Sequence, residues 1–155
     1  MTATFVIQFD FHTRLFNNAL KDISENEANE KMEHKVNNIK WLAGHLVGTR
    51  LLLKDYAGIK EDGRFNVFGK GFDPAVEYPT LGDIKSKWNE IAMPLSIALN
   101  NLTGTHLDAE GPSWLPVDER SIRGFLAYVM HHEAYHLGQI GILRRQIGKE
   151  PMGYK

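Results

Sequence analysis

The chain has 155 residues, of which 43% are apolar and 24% charged, as in a globular protein with one core, so we expect a single domain over residues 1–155. It contains no cysteine, which excludes disulfides, thiolate metal ligands and a cysteine nucleophile. A net charge of −1 argues against nucleic acid and anionic membranes as partners, and no apolar run approaches the roughly 20 residues of a membrane span, so we expect a cytoplasmic protein.

Helical periodicity begins close to the start of the chain. Apolar side chains recur on one face of a predicted first helix over about residues 5–23. Ser24 and Glu27 then form the signature of a capping box, which predicts the start of a second helix. The apolar pattern continues this helix without interruption to Gly58. The residues predicted for its buried face are Met32, Val36, Ile39, Leu42, Leu46 and Leu53.

Two loops and two further helices complete the chain. Residues 57–79 are rich in glycine and lack periodicity, which predicts an ordered loop whose one strand-like alternation is RFNVF. A capping signature at Thr80 begins a third helix, in which Pro94 predicts a kink because it lacks a backbone N–H. After a second loop, a fourth helix is predicted over about residues 118–147. Four helices joined by long loops predict an all-α four-helix bundle.

The fourth helix contains HEAYH at residues 132–136, the H-E-x-x-H pattern of zinc-dependent peptidases. His132 and His136 lie four residues apart in an otherwise apolar stripe, so both side chains face the core, roughly 5–6 Å apart at Cβ. Two core histidines bonded to other polar groups are the alternative interpretation. The aligned pair favours metal ligands, because each imidazole would otherwise need its own buried partner.

A peptidase site is disfavoured because no third ligand follows the motif. The extended peptidase pattern requires glycine at 139 and histidine at 142, where the chain has Gln139 and Ile142. No histidine follows His136, and Glu150 is the only later carboxylate side chain. A ferritin-like di-metal site is disfavoured as well, because it needs two Glu-x-x-His motifs and the chain has only the one that begins at Glu133.

His45 in the second helix is the better third ligand. It lies on the inward flank of that helix, between Gly44 and Gly48 in the sequence. Glycine costs a helix about 1 kcal/mol relative to alanine, so two glycines here indicate close approach of another element or of a ligand. A core-facing histidine opposite the pair on the fourth helix completes a three-histidine site with open positions for water or substrate. We therefore predict that His45, His132 and His136 bind one metal ion.

The other histidines have no supporting spacing. His131 is expected to flank the site or face solvent, since it lies roughly 100° around the helix from His132. His34 lies in a charged run and is expected to be solvated. His12 on the first helix and His106 in the second loop could each line a pocket.

Glu133 and Arg50 are candidates for other roles near the site. Glu133 also leaves its helix about 100° from the metal face, so we expect a charge near the rim of the bundle that orients a ligand histidine. A general base acting on bound water is the less favoured alternative. Arg50 lies about one turn from His45 and could bind a substrate carboxylate.

These motifs resemble a known family. WLAGHL in the second helix, together with His132-x-x-x-His136-Leu-Gly-Gln-Ile near the end, resembles the DinB-like superfamily, which includes the YfiT-like metal-dependent hydrolases. The resemblance covers essentially the whole chain and implies a four-helix bundle with up-down-down-up connections. It also implies a divalent metal ion (nickel, zinc or iron) held by one histidine of the second helix and two of the fourth. By position these are His45, His132 and His136.

The resemblance further implies a homodimer that acts on a small molecule. Some members resemble thiol transferases that add a low-molecular-weight thiol such as bacillithiol to an electrophile, and a related branch includes a mycothiol-dependent isomerase. The leading hypothesis is thus a metal-dependent thiol transferase or hydrolase. The alternative is a non-catalytic metal- or ligand-binding bundle that serves as a sensor or a structural dimer.

Overall fold

The computed structural model describes residues 2–30 and 36–155. The helices are α1 (Thr2–Ala19), α2 (Glu25–Ala28), α3 (Ile39–Leu51), α4 (Lys54–Ala57), a 3₁₀ helix (Gly63–Gly69), α5 (Leu81–Asn101), α6 (Gly104–Asp108) and α7 (Ile122–Gln146). Apart from an isolated β-bridge between Glu110 and Ser121, no strand is present in these two ranges. The prediction of an all-α protein is therefore confirmed.

The four longest helices pack around a shared core. α1 contacts α5 and α7, and α3 contacts the same two helices. The fully buried aromatic side chains include Phe9 and Phe16 of α1, Trp88 of α5 and Phe125 of α7. Phe16 stacks on Trp88 with 4.1 Å between ring centroids, which joins α1 to α5. The up-down-down-up course of the chain stays a prediction of the family resemblance.

The second predicted helix is wrong as a single element. Its start is confirmed, because the Ser24 side chain accepts from the Glu27 backbone N–H and the Glu27 side chain accepts from the Ser24 backbone N–H. This helix nevertheless ends at Ala28. α3 begins anew after Asn38, which has an extended backbone and accepts from the Trp41 N–H through its side chain at 2.8 Å. The side chain of Asn38 caps α3, so a new helix starts after this residue. Apolar periodicity does not detect such a cap, which is why it predicted one continuous helix.

The predicted buried face of this segment is confirmed from Ile39 onward. Ile39, Leu42, Leu46 and Leu53 are buried. Val36 is 46% exposed, because it lies before the Asn38 cap, so its predicted burial is wrong. The prediction for Met32 lies outside the described residues.

The glycine-rich loop contains a 3₁₀ helix where the sequence showed its only strand-like alternation. Phe65 and Phe68 of this segment are buried, and the segment packs on α3. A Cβ at Gly44 would lie 2.1–2.5 Å from the Phe68 ring, so only glycine permits this approach. The close contact predicted from the helix glycines is therefore present, and its partner is the 3₁₀ helix.

The third predicted helix starts where its capping signature placed it, whereas the fourth starts at Ile122, four residues after the predicted position. Thr80 caps α5 in a capping box with Asp83, and α5 continues through Pro94. Ser121 caps α7. The second loop contains the short helix α6, which periodicity missed because five residues are too few to show it. None of the helices in the described part of the chain combines the length and apolar character that crossing a membrane requires.

Candidate metal centre

Three histidines from two helices meet between α3 and α7. One ring nitrogen of each of His45, His132 and His136 lies within 4.8 Å of the others. The ring centroids are 4.4 Å apart for the α7 pair and 4.9 Å from His45 to each of them. Nitrogens bound to one zinc ion at about 2.0–2.1 Å fall within such a separation. The arrangement could therefore hold a single metal ion.

The orientation of His45 is set by the 3₁₀ helix. The Nδ1–H of His45 donates to the Phe68 carbonyl at 2.8 Å. The ring also stacks on Trp41, with centroids 4.9 Å apart and planes at 11°. Because the proton lies on Nδ1, the Nε2 lone pair is the one available to a ligand. The close approach at Gly44 thus places a carbonyl oxygen that selects the ring tautomer.

His136 has the same type of partner on its own helix. Its Nδ1 lies 2.6 Å from the Oε1 of Gln139, one turn onward. The Gln139 amide in turn donates to the Tyr135 hydroxyl at 3.3 Å. An N–H on Nδ1 again leaves Nε2 as the free nitrogen. Gln139 of the HLGQI motif therefore orients the imidazole of His136.

The contact between His45 and His132 is short. Their Nε2 atoms are 2.8 Å apart. Two unprotonated nitrogens at this distance repel each other, so either a proton on His132 or a cation between the rings makes the contact favourable. An ion shared with His136 satisfies all three lone pairs at once. Three imidazole nitrogens are a donor set that could hold a metal ion.

Burial keeps the three imidazoles neutral. Desolvation lowers the pKa of His45 and of His136. The pKa of His132 is lowered to about 4, first by desolvation and then by the repulsion that protonation would create with the nearby imidazoles of His136 and His45. Neutral imidazole is the form that binds metal ions, so the site is prepared for a cation at neutral pH.

A cleft of about 450 Å³ opens beside His45 and His132. Its other walls come from α3, the 3₁₀ helix, the loop before α7 and α7 itself. They are mainly apolar or aromatic, with Phe65, Trp114 and Tyr128 among them. The site thus has an open side large enough for a small molecule.

Glu133 occupies a different place from the one predicted. It is 0% exposed, so its expected position at the rim of the bundle is wrong. The Nε and Nη2 of Arg50 donate to its two carboxylate oxygens at 2.7 and 3.2 Å, and the Nδ1–H of His12 donates at 3.0 Å. Burial raises the pKa of Glu133, but the charge of Arg50 and the hydrogen bonds from His12 and Arg50 outweigh it. The net result is a lowered pKa and an ionised carboxylate.

The same contacts remove Arg50 as a ligand for substrate. The guanidinium is fully buried, and its other donors bond to Thr13 Oγ1 at 2.8 Å and to the Phe9 carbonyl at 3.0 Å. Its charge also lies 3.5 Å from the centroid of the Trp88 ring. The prediction that Arg50 binds a substrate carboxylate is therefore wrong. The sequence signal for this network was weak, because it joins α1, α3 and α7 across long sequence separations.

The remaining histidines lie apart from the triad. His131 is exposed, as predicted. His106 caps α6 through its side chain and lines a separate cavity of about 440 Å³. His12 is buried against Glu133. The prediction for His34 lies outside the described residues.

The sequence of residues 8–140 matches the model of the DinB superfamily. The chain belongs to the DinB superfamily. This match covers α1 from residue 8 onward, all of α3 and α5, and the part of α7 that contains the HExxH and HLGQI motifs. Proteins of the DinB superfamily often bind metal ions, which agrees with the histidine triad. No curated protein matches the chain.

Proposed function

We propose that this DinB superfamily protein is a metal-dependent enzyme in which His45, His132 and His136 bind one divalent ion. The observation that carries the proposal is the convergence of three neutral imidazoles within 4.8 Å. Two of them are oriented by hydrogen bonds that leave Nε2 free. One shared ion would pair all three ring nitrogens at once, as buried polar groups require. Three protein ligands with an open side are the arrangement of a catalytic rather than a structural metal site.

The proposed reaction is transfer of a low-molecular-weight thiol to an electrophile, or hydrolysis. A divalent ion at such a site lowers the pKa of a thiol or water that binds it, which supplies the nucleophile for either reaction. The chain contributes the fixed imidazoles and the cleft walls. Phe65, Trp114 and Tyr128 line the cleft in front of His132 and make its walls largely apolar.

The size of the cleft supports a small substrate. The cavity beside the triad adjoins a second one of about 360 Å³, and both are lined by Gly48, Leu52, Asn66 and Trp114. Small-molecule sites usually occupy about 300–1,000 Å³. The outer cavity adds charged side chains, Lys54, Asp55 and Glu61 among them. A substrate whose apolar part lies near the metal and whose polar end lies in the outer cavity fits this arrangement.

Metal titration tests the site. Isothermal titration with zinc or nickel is expected to give one ion per chain, and His132→Ala is expected to abolish tight binding. His131→Ala is the matched control, because that residue is the exposed neighbour on the same helix. Unchanged affinity in His132→Ala would remove the proposed site.

Turnover tests the enzymatic part. Metal-loaded protein is incubated with pairs of thiols and electrophiles and with ester and amide substrates, with His131→Ala and His45→Ala in parallel. We expect at least one pair to react with wild type and with His131→Ala, and not with His45→Ala. Tight metal binding without turnover of any pair would favour the non-catalytic bundle instead.

A further inference from the structure

The buried contact between Arg50 and Glu133 lies next to the triad on the same two helices. Arg50 follows His45 by five residues on α3, about 7.5 Å along the axis. Glu133 lies between His132 and His136 in the sequence of α7. The relative position of these helices decides whether His45 meets the α7 pair. The contact between Arg50 and Glu133 joins these two helices close to the ligands.

The contact between Arg50 and Glu133 restricts both the distance and the mutual orientation of these two side chains. Arg50 donates to both oxygens of Glu133, from Nε at 2.7 Å and from Nη2 at 3.2 Å. Two parallel hydrogen bonds between planar groups fix their mutual angle, which a single contact does not. Both side chains are 0% exposed, so water does not compete for the bonds.

A third helix holds the pair in place. His12 of α1 donates to Glu133 at 3.0 Å, and Thr13 and the Phe9 carbonyl of α1 accept from Arg50 at 2.8 and 3.0 Å. The guanidinium also lies against the Trp88 ring of α5 at 3.5 Å from the centroid. Arg50 of α3 thus contacts each of the other three long helices, which gives its side chain little freedom to move.

We infer that Arg50 and Glu133 are positioning residues that set the relative placement of α3 and α7 and thereby prepare the three imidazoles for a metal ion. The inference rests on the proposed metal site. Neither residue is assigned contact with metal or substrate. Their role is to hold His45 against His132 before an ion binds, when no metal–ligand bond opposes separation of the rings.

Cobalt(II) is a suitable probe, since its visible absorption reports the number and arrangement of ligands independently of turnover. Glu133→Gln keeps the volume of the side chain but removes its charge. We expect about a tenfold loss of cobalt affinity, the lower end of what changes around metal ligands cause, and a changed absorption spectrum. Arg50→Lys keeps the charge and loses the paired hydrogen bonds. This milder variant is expected to fold and to show the same spectral change.

Arg144→Gln is the matched control for lost stability. Arg144 is, like Arg50, a buried arginine, but it lies on α7 and donates to the backbone carbonyls of Glu150 and Ala19, at 2.6 and 3.2 Å, away from the cleft. We expect this variant to lower the melting temperature while it leaves cobalt affinity and spectrum unchanged.

The outcomes separate this inference from the proposed function. If wild type binds cobalt and both Glu133→Gln and Arg50→Lys bind it with unchanged affinity and spectrum, the positioning role is overturned and the metal site stands. If Arg144→Gln weakens cobalt binding as much as Glu133→Gln does, general loss of stability explains the effect and the inference fails. If wild type does not bind cobalt, the metal site fails and the inference fails with it.

Discussion

Two polar clusters lie side by side on α3 and α7, and they differ in how completely their atoms are paired. In the ionic cluster of Arg50, Glu133 and His12, the charged groups are buried and hydrogen-bonded to one another. In the triad, each of two imidazoles has one nitrogen bonded to a protein oxygen and the other directed at its neighbours. The first cluster is complete within the chain. The second has lone pairs left over, which is the chemical difference between a cluster that stabilises a fold and one that can accept a ligand.

The largest effect is expected from breaking the ionic cluster. Glu133→Ala leaves the Arg50 charge buried without its carboxylate, and loss of one partner of such a pair costs about 3–5 kcal/mol. Urea unfolding at neutral pH, with metal chelated, measures the change. His131→Ala, an exposed substitution on the same turn of α7, is expected to stay within about 0.5 kcal/mol of wild type. A cost near that of His131→Ala would mean that the cluster contributes little to folding.

A smaller loss is expected at the contact that orients the triad. Gly44→Ala places a Cβ within 2.1–2.5 Å of the Phe68 ring. Overpacking of this kind costs about 1–3 kcal/mol. Displacement of Phe68 also moves the carbonyl that accepts from His45, so metal affinity is expected to fall as well. Calorimetric melting and metal titration measure the two effects.

Gly138→Ala is the control for Gly44→Ala. No atom lies within 4 Å of a Cβ at Gly138 of α7, apart from the atoms of its own helix and neighbours. Alanine there is expected to be neutral or to stabilise by up to about 1 kcal/mol, because glycine loses more backbone entropy in a helix. If both alanine variants behave alike, the Phe68 contact does not decide the effect at Gly44.

The triad itself is expected to show in the dependence of stability on pH. Desolvation, followed by electrostatic repulsion from the nearby imidazoles of His136 and His45, lowers the pKa of His132 from 6.5 to about 4. The unfolded chain therefore binds more protons than the folded chain between these values, so stability without metal falls as the pH falls through this window. His132→Ala is expected to flatten that slope. Urea unfolding at several pH values with chelator present, compared with His131→Ala, measures it. An unaltered slope would contradict the lowered pKa.

The smallest effect on stability is expected from an ion pair at the protein surface. The Nζ of Lys149 lies 2.8 Å from the Glu27 carboxylate. Lys149, followed by the backbone and hydroxyl of Ser24, lowers the pKa of Glu27 to about 2. The resulting stability is present above the unfolded pKa of 4.5 and is lost as the pH falls through about 2. Glu27→Gln is expected to lower the melting temperature slightly at neutral pH, with the difference shrinking in acid. A loss as large as that of Glu133→Ala would contradict the contrast between buried and exposed pairs.

The triad was predictable because its strongest part is local. A spacing of four residues places His132 and His136 on one face of any helix, whatever surrounds it. His45 required one further step, since the apolar face of its helix had to be oriented toward the core. The all-α class followed from the same periodicity. These inferences depend only on the geometry of the helical backbone, which does not change with the tertiary surroundings.

The predictions for Glu133 and Arg50 were wrong because they, too, used only the geometry of a single helix. Helical projection gave the angle at which Glu133 leaves α7, but not the helix that lies in that direction. A carboxylate that points away from the metal face meets solvent at the edge of an isolated pair of helices. In this fold it meets Arg50 and His12 of α3 and α1. The charge of Glu133 suggested an exposed side chain. Pairing with the opposite charge of Arg50 instead allows the carboxylate to be buried.

Helical periodicity and capping chemistry by themselves determined the all-α class, the cap of α2 at Ser24, and the alignment of His132 with His136. Only the tertiary structure decided that α3 starts anew after Asn38, that the 3₁₀ helix packs on Gly44, and that Glu133 is buried against Arg50. The physical reason is the range of the interactions. Hydrogen bonds within a turn act between near neighbours in sequence, whereas burial and charge pairing depend on which distant segments meet.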